Sequence, residues 1–211
     1  MMKFNVYLHH PFTMLVAGPT GSGKTYWLKR LIDNVNKYCL PPPVKVTYFY
    51  GEYQEIFSSM SNVNFIQGLP ENIINKFDGV QSEWIIIDDL MEESTNSKVI
   101  SELFTKGSHH RNLLVILLVQ NFFTQGKESR SISLNAQYLV LFKNPRDQSI
   151  ISNIAKQMMP GKTKRLQSIY EDATMKPYSY LFVDLKPETP NETRFLTNVL
   201  DEEPYITTYL V

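Results

Sequence analysis

The stretch Thr13 to Ala17 (T-M-L-V-A) is an apolar run ending at Gly18, the pattern of a strand buried on both faces. From Lys24 to Tyr38, Trp27, Leu28, Leu31, Ile32 and Val35 recur at helical spacing, and Pro41-Pro42-Pro43 stops that helix. Val44 to Tyr50 (V-K-V-T-Y-F-Y) is β-branched and aromatic and closes at Gly51, so it predicts a second strand. A short strand over 64–67 and a short helix over 71–77 follow. Trp84 to Ile87 (W-I-I-I) predicts a buried strand running into Asp88-Asp89. Val99, Ile100, Leu103 and Phe104 give Lys98 to Lys106 a helical period, with Gly107 as its cap. Leu113 to Val119 is the most apolar strand and ends at Gln120-Asn121. Tyr138 to Phe142 predicts a further strand, Pro145 opens a helix carrying Ile150, Ile151, Ile154 and Met158, and a basic helix runs from Thr163 to Tyr170. Tyr178 to Leu185 is the last predicted strand. Strands and helices in alternation predict an α/β domain with a largely parallel sheet covered by helices on both faces.

Composition narrows this picture only slightly. The 211 residues suffice for one such domain, read as residues 1–189 with an acidic tail over 190–211. With 43% apolar and 20% charged residues the chain has the make-up of a globular protein. Its 21 basic and 21 acidic residues cancel, so no overall field draws it to DNA or to an anionic membrane. The charges are nevertheless segregated. Lys143, Arg146, Lys156, Lys162, Lys164 and Arg165 face a single acid, Asp147, within one stretch, which is either a phosphate-tracking surface or a solvated helix face. The one cysteine, Cys39, excludes an intrachain disulfide or a thiolate metal site and fits a reducing compartment. No apolar run approaches the roughly 20 residues needed to span a bilayer, so a cytosolic or nuclear location is expected, with no membrane partner.

The chemistry lies between the first strand and the first helix. Residues Gly18, Pro19, Thr20, Gly21, Ser22, Gly23, Lys24 and Thr25 satisfy G-x-x-x-x-G-K-[ST], and Tyr26 follows in the helix. Glycines let backbone N–H groups converge on a β-phosphate, and the helix adds its positive end. Lys24 is expected to reach the β- and γ-phosphates of ATP, and the Thr25 hydroxyl to ligate Mg2+. A site of this kind needs a carboxylate at a neighbouring strand end to hold Mg2+ through water, and Asp88 stands there. Asp89 is the candidate catalytic base, with Glu92 and Glu93 as alternatives. If the 113–119 strand lies between the P-loop strand and the Asp88 strand, Gln120 at its tip faces the γ-phosphate and senses it; Asn121 could share that role. His9-His10 and His109-His110 are adjacent pairs whose side chains diverge, a poor geometry for a metal.

Taken together, G-P-T-G-S-G-K-T, W-I-I-I-D-D-L-M, the stretch Ser108 to Phe123 (S-H-H-R-N-L-L-V-I-L-L-V-Q-N-F-F) and Ala136 to Asp147 (A-Q-Y-L-V-L-F-K-N-P-R-D) resemble the FtsK/HerA-type DNA-packaging ATPases of double-stranded DNA viruses and virus-like transposons, including poxvirus-type and Polinton or adintovirus enzymes. The resemblance covers residues from about 10 to 185. It implies a RecA-like three-layer α/β/α core with the Gln-bearing strand central, a homo-oligomeric ring, and ATP-driven movement of double-stranded DNA into a capsid, hence DNA and capsid proteins as partners at sites of virion assembly. It also implies an arginine supplied by a neighbouring subunit, for which Arg111 is the first candidate and Arg146 and Arg130 follow. A nucleoside or nucleotide kinase, or a nucleotide-gated assembly protein with little turnover, remains an alternative reading of the same motifs.

Overall fold

The computed structural model describes residues 6–90, 94–107, 111–121, 127–147, 149–201 and 206–211, with the side chains of 94–97 also left aside. A nine-stranded sheet forms its centre, in the spatial order β11-β10-β9-β8-β2-β7-β6-β4-β5. These strands are β2 (Thr13–Ala17), β4 (Lys45–Tyr50), β5 (Val63–Gln67), β6 (Glu83–Asp88), β7 (Leu113–Val119), β8 (Tyr138–Phe142), β9 (Tyr180–Asp184), β10 (Phe195–Thr197) and β11 (Thr207–Thr208). A separate two-stranded pair joins β1 (Leu8–His9) to β3 (Cys39–Leu40). From β5 through to β8 every pairing is parallel, and β9, β10 and β11 extend the sheet antiparallel. All C-terminal ends of the parallel strands therefore lie along one edge.

The expected central position of the 113–119 strand is found: β7 hydrogen-bonds to β2 on one side and β6 on the other. Its seven apolar residues are all buried because they alternate between two covered faces. Leu113, Val115, Leu117 and Val119 join a core with α3 (Ser94–Glu102), α4 (Lys127–Asn135), α5 (Ser149–Met158) and α6 (Thr163–Ala173). Leu114, Ile116 and Leu118 join the opposite core, under α1 (Lys24–Asp33). That second core is rich in rings. Phe12 meets Tyr138 edge-on at 5.0 Å, and Phe57 stacks on Phe65 at 4.7 Å. Helix, sheet and helix make the three layers expected.

Several elements differ from the sequence reading. The first helix breaks at Asn34, leaving α1 and a single turn, α2 (Val35–Tyr38). The expected helix over 71–77 is only a 3-10 turn, Ile73–Lys76, too short a segment to sustain an α-helical hydrogen-bond ladder. Pro145 does not open α5, which starts at Ser149; the buried Asn144 accepts backbone N–H bonds from Arg146 and Asp147 and turns the chain there instead. Residues 190–211 do not stand apart as an acidic tail, because β10 and β11 belong to the sheet and Phe195 and Leu196 are buried on its two faces. Arg30 of α1 fastens this end further, bonding Asp201 at 2.5 Å and the Leu200 carbonyl at 2.6 Å. Among the described residues no helix is long and apolar enough to cross a membrane.

Because Ile116 is wholly buried in the central strand, Ile116→Ala is expected to lower unfolding free energy by ~2–5 kcal/mol in urea denaturation. Val80→Ala, at a largely exposed loop position, is expected to stay within ~0.5 kcal/mol of the parent in the same measurement.

Candidate nucleotide site

The phosphate loop leaves β2 while still attached to the sheet, since the Gly18 N–H donates to the Val119 carbonyl at 3.1 Å. A β-carbon at Gly18 would come within 2.7 Å of Phe142 Cβ and of Ser22 Oγ, so only glycine fits this exit. Gly23, at φ 103°, sits in a backbone region that side chains disfavour, and it directly precedes α1. No side chain caps α1 and no acid lies in its first turn, which leaves its leading N–H groups for an anion. The Lys24 ammonium folds over the loop, donating to the Gly18 carbonyl at 2.6 Å and the Pro19 carbonyl at 3.2 Å. Burial lowers its pKa, and the nearby Asp88 and Asp89 charges oppose that shift. Ser22 Oγ is buried without a hydrogen-bond partner among the described residues. Thr20, Gly21 and Tyr26 are exposed around the rim. A concave, glycine-shaped loop with a cation, an orphan hydroxyl and a bare helix start fits a triphosphate.

Two strands away, Asp88 ends β6 and is 5% exposed. Tyr48 of β4 donates its hydroxyl to Asp88 Oδ2 at 2.7 Å, and Gln54 Nε2 donates to the same oxygen at 3.2 Å. Burial raises the Asp88 pKa most strongly; the Tyr48 bond and the Lys24 charge pull it down, while Asp89 pushes it up. Thr25 also interacts with the Tyr48 hydroxyl, so Thr25, Tyr48 and Asp88 form one connected group. Among the described residues no three His, Cys, Asp or Glu side chains gather to hold a metal unaided. Mg2+ is ordinarily held by one or two protein oxygens and the substrate phosphates, so one buried carboxylate with one oxygen committed to Tyr48 and Gln54 fits it.

Asp89, the next residue, is exposed. Its backbone is left-handed at φ 57°, a region aspartate tolerates, and its exposed carboxylate accepts a bond from Gln120 Nε2 at 3.0 Å. The tip of β7 is therefore tied to the tip of β6. Asn121, next in the chain, is exposed. Glu92, Glu93, His109 and His110 lie outside the described residues.

Arg111 is not brought to this edge. Arg111 precedes β7 at its N-terminal end, and at ~3.3 Å per residue it stands roughly 30 Å from Gln120. Its guanidinium donates to the Phe77 carbonyl at 3.1 Å. Arg130 is exposed within α4, and Arg146 is exposed in the turn between β8 and α5. The basic residues of the stretch are exposed but divided: Lys143 and Arg146 follow β8 on the P-loop edge, whereas Lys156 lies in the last turn of α5 and Lys162, Lys164 and Arg165 follow that helix. Tyr48 and Gln54 escaped the sequence reading. A hydroxyl-bearing aromatic two residues from a strand end was the only hint of Tyr48, and its use required knowing that β4 neighbours β6.

The cytoplasmic domain of the Type VII secretion ATPase EccC from Thermomonospora curvata has a similar fold, with TM-score 0.55 and 13% identity over 84% of this chain, which spans 24% of that one. The genome packaging NTPase B204 from Sulfolobus turreted icosahedral virus 2, solved with ATP-gammaS, aligns with TM-score 0.49 and 14% identity, covering 84% of this chain and 94% of that one. No curated protein matches the sequence significantly. The poxvirus A32 protein family, however, matches residues 1–184, nearly the whole described sheet and all the groups of the phosphate loop and its neighbouring strand tips, and the chain belongs to that family.

Proposed function

We propose that this chain is the ATPase of viral genome packaging, hydrolysing Mg-ATP at the P-loop and driving double-stranded DNA into a capsid as a homo-oligomeric ring of FtsK/HerA type. One observation carries the reading: the ends of the adjacent strands β2, β7 and β6 bring Lys24, the Gln120–Asp89 pair and Asp88 to one edge. In this reading residues 18–26 wrap the triphosphate and Lys24 neutralises the β- and γ-phosphates. Thr25 and Asp88 hold Mg2+, which supplies charge stabilisation to the transferring phosphoryl group. Asp89 takes the proton of the attacking water, and Gln120, bonded to it, reports the γ-phosphate to the base.

The four basic residues at the far edge, Lys156, Lys162, Lys164 and Arg165, are the surface offered to DNA phosphates. For the trans arginine, Arg111 would have to leave its bond to Phe77, whereas Arg146 and Arg130 are exposed. Family membership supports work at sites of virion assembly with capsid proteins as partners.

Lys24→Ala is expected to abolish ATP binding in titration calorimetry, while Asp89→Asn binds ATP normally and loses turnover by roughly 10²–10⁴-fold in a phosphate-release assay. Wild-type turnover in Asp89→Asn would move the base elsewhere. Tyr48→Phe, which removes a donor from Asp88, should raise the Mg2+ needed for half-maximal turnover by roughly 10–100-fold while leaving ATP affinity little changed. Double-stranded DNA should accelerate turnover, with a salt slope near −0.9 per contacted phosphate. Replacing Lys162, Lys164 and Arg165 by Gln should flatten that slope and spare basal turnover. Acceleration by a nucleoside instead of by DNA would overturn the packaging reading in favour of a kinase.

A further inference from the structure

The phosphate loop accounts for the polyphosphate end of the substrate but not for its base. With Asp88 and Gln120 on the β7–β6 side of the loop, the γ-phosphate points to that side, and the nucleoside leaves on the opposite flank, toward β8 and β9. This step rests on the nucleotide reading above. What stands on that flank is the segment between α6 and β9, residues 174–179.

The segment is firmly held. Thr174 Oγ1 donates to the Tyr170 carbonyl at 2.7 Å, the Met175 N–H to Asp172 at 3.2 Å, and Ser179 donates to the Lys176 carbonyl through its N–H at 3.2 Å and its hydroxyl at 2.7 Å. Tyr180 then pairs with Phe142, which fixes the segment beside the loop that Phe142 also abuts. Within it Tyr178 adopts φ 63°, an unfavourable backbone for an aromatic residue. Its ring carbon Cδ1 comes within 3.2 Å of where a β-carbon on Gly23 would lie, so the ring rests over the last glycine of the phosphate loop. Yet the residue is 71% exposed, and Met175 nearby is 67% exposed. Core packing does not explain an exposed ring held in a disfavoured backbone against the P-loop. A cleft of 350 Å³ opens there, bounded by Gly21, Ser22, Lys143, Met175, Pro177 and Tyr178.

We propose that this cleft receives the base and ribose of the nucleoside triphosphate, with Tyr178 as the stacking face, Met175 as the apolar wall and Lys143 beside the α-phosphate. Stacking scales with ring area and is tolerant of base identity. The site is therefore expected to separate purines from pyrimidines more strongly than adenine from guanine.

The test compares Mg-ATP, Mg-CTP and inorganic tripolyphosphate by titration calorimetry, in the full chain and in Tyr178→Ala and Tyr178→Trp. Tyr178→Ala should weaken ATP by roughly 5–100-fold, the range of one base–aromatic stack, weaken CTP less, and leave tripolyphosphate unchanged. Tyr178→Trp should restore ATP binding, with indole fluorescence that responds to ATP and not to tripolyphosphate. ATP affinity within twofold of wild type in Tyr178→Ala overturns the base site, and so does equal loss of ATP and tripolyphosphate, which would mean that the ring only supports Gly23. Wild-type protein that binds neither ATP nor tripolyphosphate defeats the P-loop reading itself, and the base site with it.

Discussion

The register of β7 between β2 and β6 is the constraint on which the site depends. Ala17 pairs with Val119 and Asp88 with Leu118, so three strands finish within a residue of one another at a single edge. A slip of one residue would not merely shift the tips. It would exchange the two faces of β7, sending Leu114, Ile116 and Leu118 to the helical face now lined by Leu113, Val115 and Leu117. Both cores are close-packed with different shapes, the second richer in aromatic rings than the first, and both oppose that exchange. The packing that stabilises the sheet thus also sets the distance between phosphate loop and carboxylates.

On that frame the charged groups are arranged so that none is satisfied alone. Burial disfavours the charged forms of both Lys24 and Asp88, and each partly stabilises the other. Tyr48 and Gln54 spend their donors on one Asp88 oxygen, and the Lys24 ammonium rests on carbonyls of the loop itself. Carbonyl oxygens are weak partners for a partly desolvated ammonium compared with anionic oxygens, so a polyphosphate competes well for it. Asp89 differs from Asp88 by one step of chain and by environment: exposed, left-handed in its backbone, and tied to Gln120. Two adjacent aspartates in unlike surroundings suit the unlike tasks proposed for them, Asp88 as cation ligand and Asp89 as base.

How much of this was legible in the sequence follows from the range of each interaction. The P-loop is a local device whose parts lie within eight residues, and the buried strands W-I-I-I and L-L-V-I-L-L-V declare themselves by apolar runs, so the fold class and the tips at Asp88 and Gln120 could be read directly. Tyr48 and Gln54 could not, because their contact with Asp88 exists only through the neighbouring of β4 and β6, and strand order is not a local property. Tyr178 looked like the first residue of a strand until its turn and its contact with Gly23 gave it another place. β10 and β11 are three and two residues long, too short for a period to emerge, so an acidic composition concealed a sheet edge. Arg111, just before β7 in sequence, stands at the edge of the sheet opposite Gln120 of its own chain, and a role in a neighbouring subunit's site depends on how subunits meet.

In the proposed function nucleotide chemistry takes the C-terminal edge of the sheet, while Lys156 in the last turn of α5 and Lys162, Lys164 and Arg165 after it are exposed toward the opposite edge. The strands between are buried on both faces, and a close-packed core does not deform gradually. Sliding one strand by a residue would break the register described above, so the sheet transmits force as a rigid plate. On the proposed packaging function, a change at Gln120 and Asp89 would reach the far edge only by moving the whole domain. The hydrogen bond that joins the tips of β7 and β6 lies at the rim of that plate, and in the ring we propose the movement would belong to the interfaces between subunits.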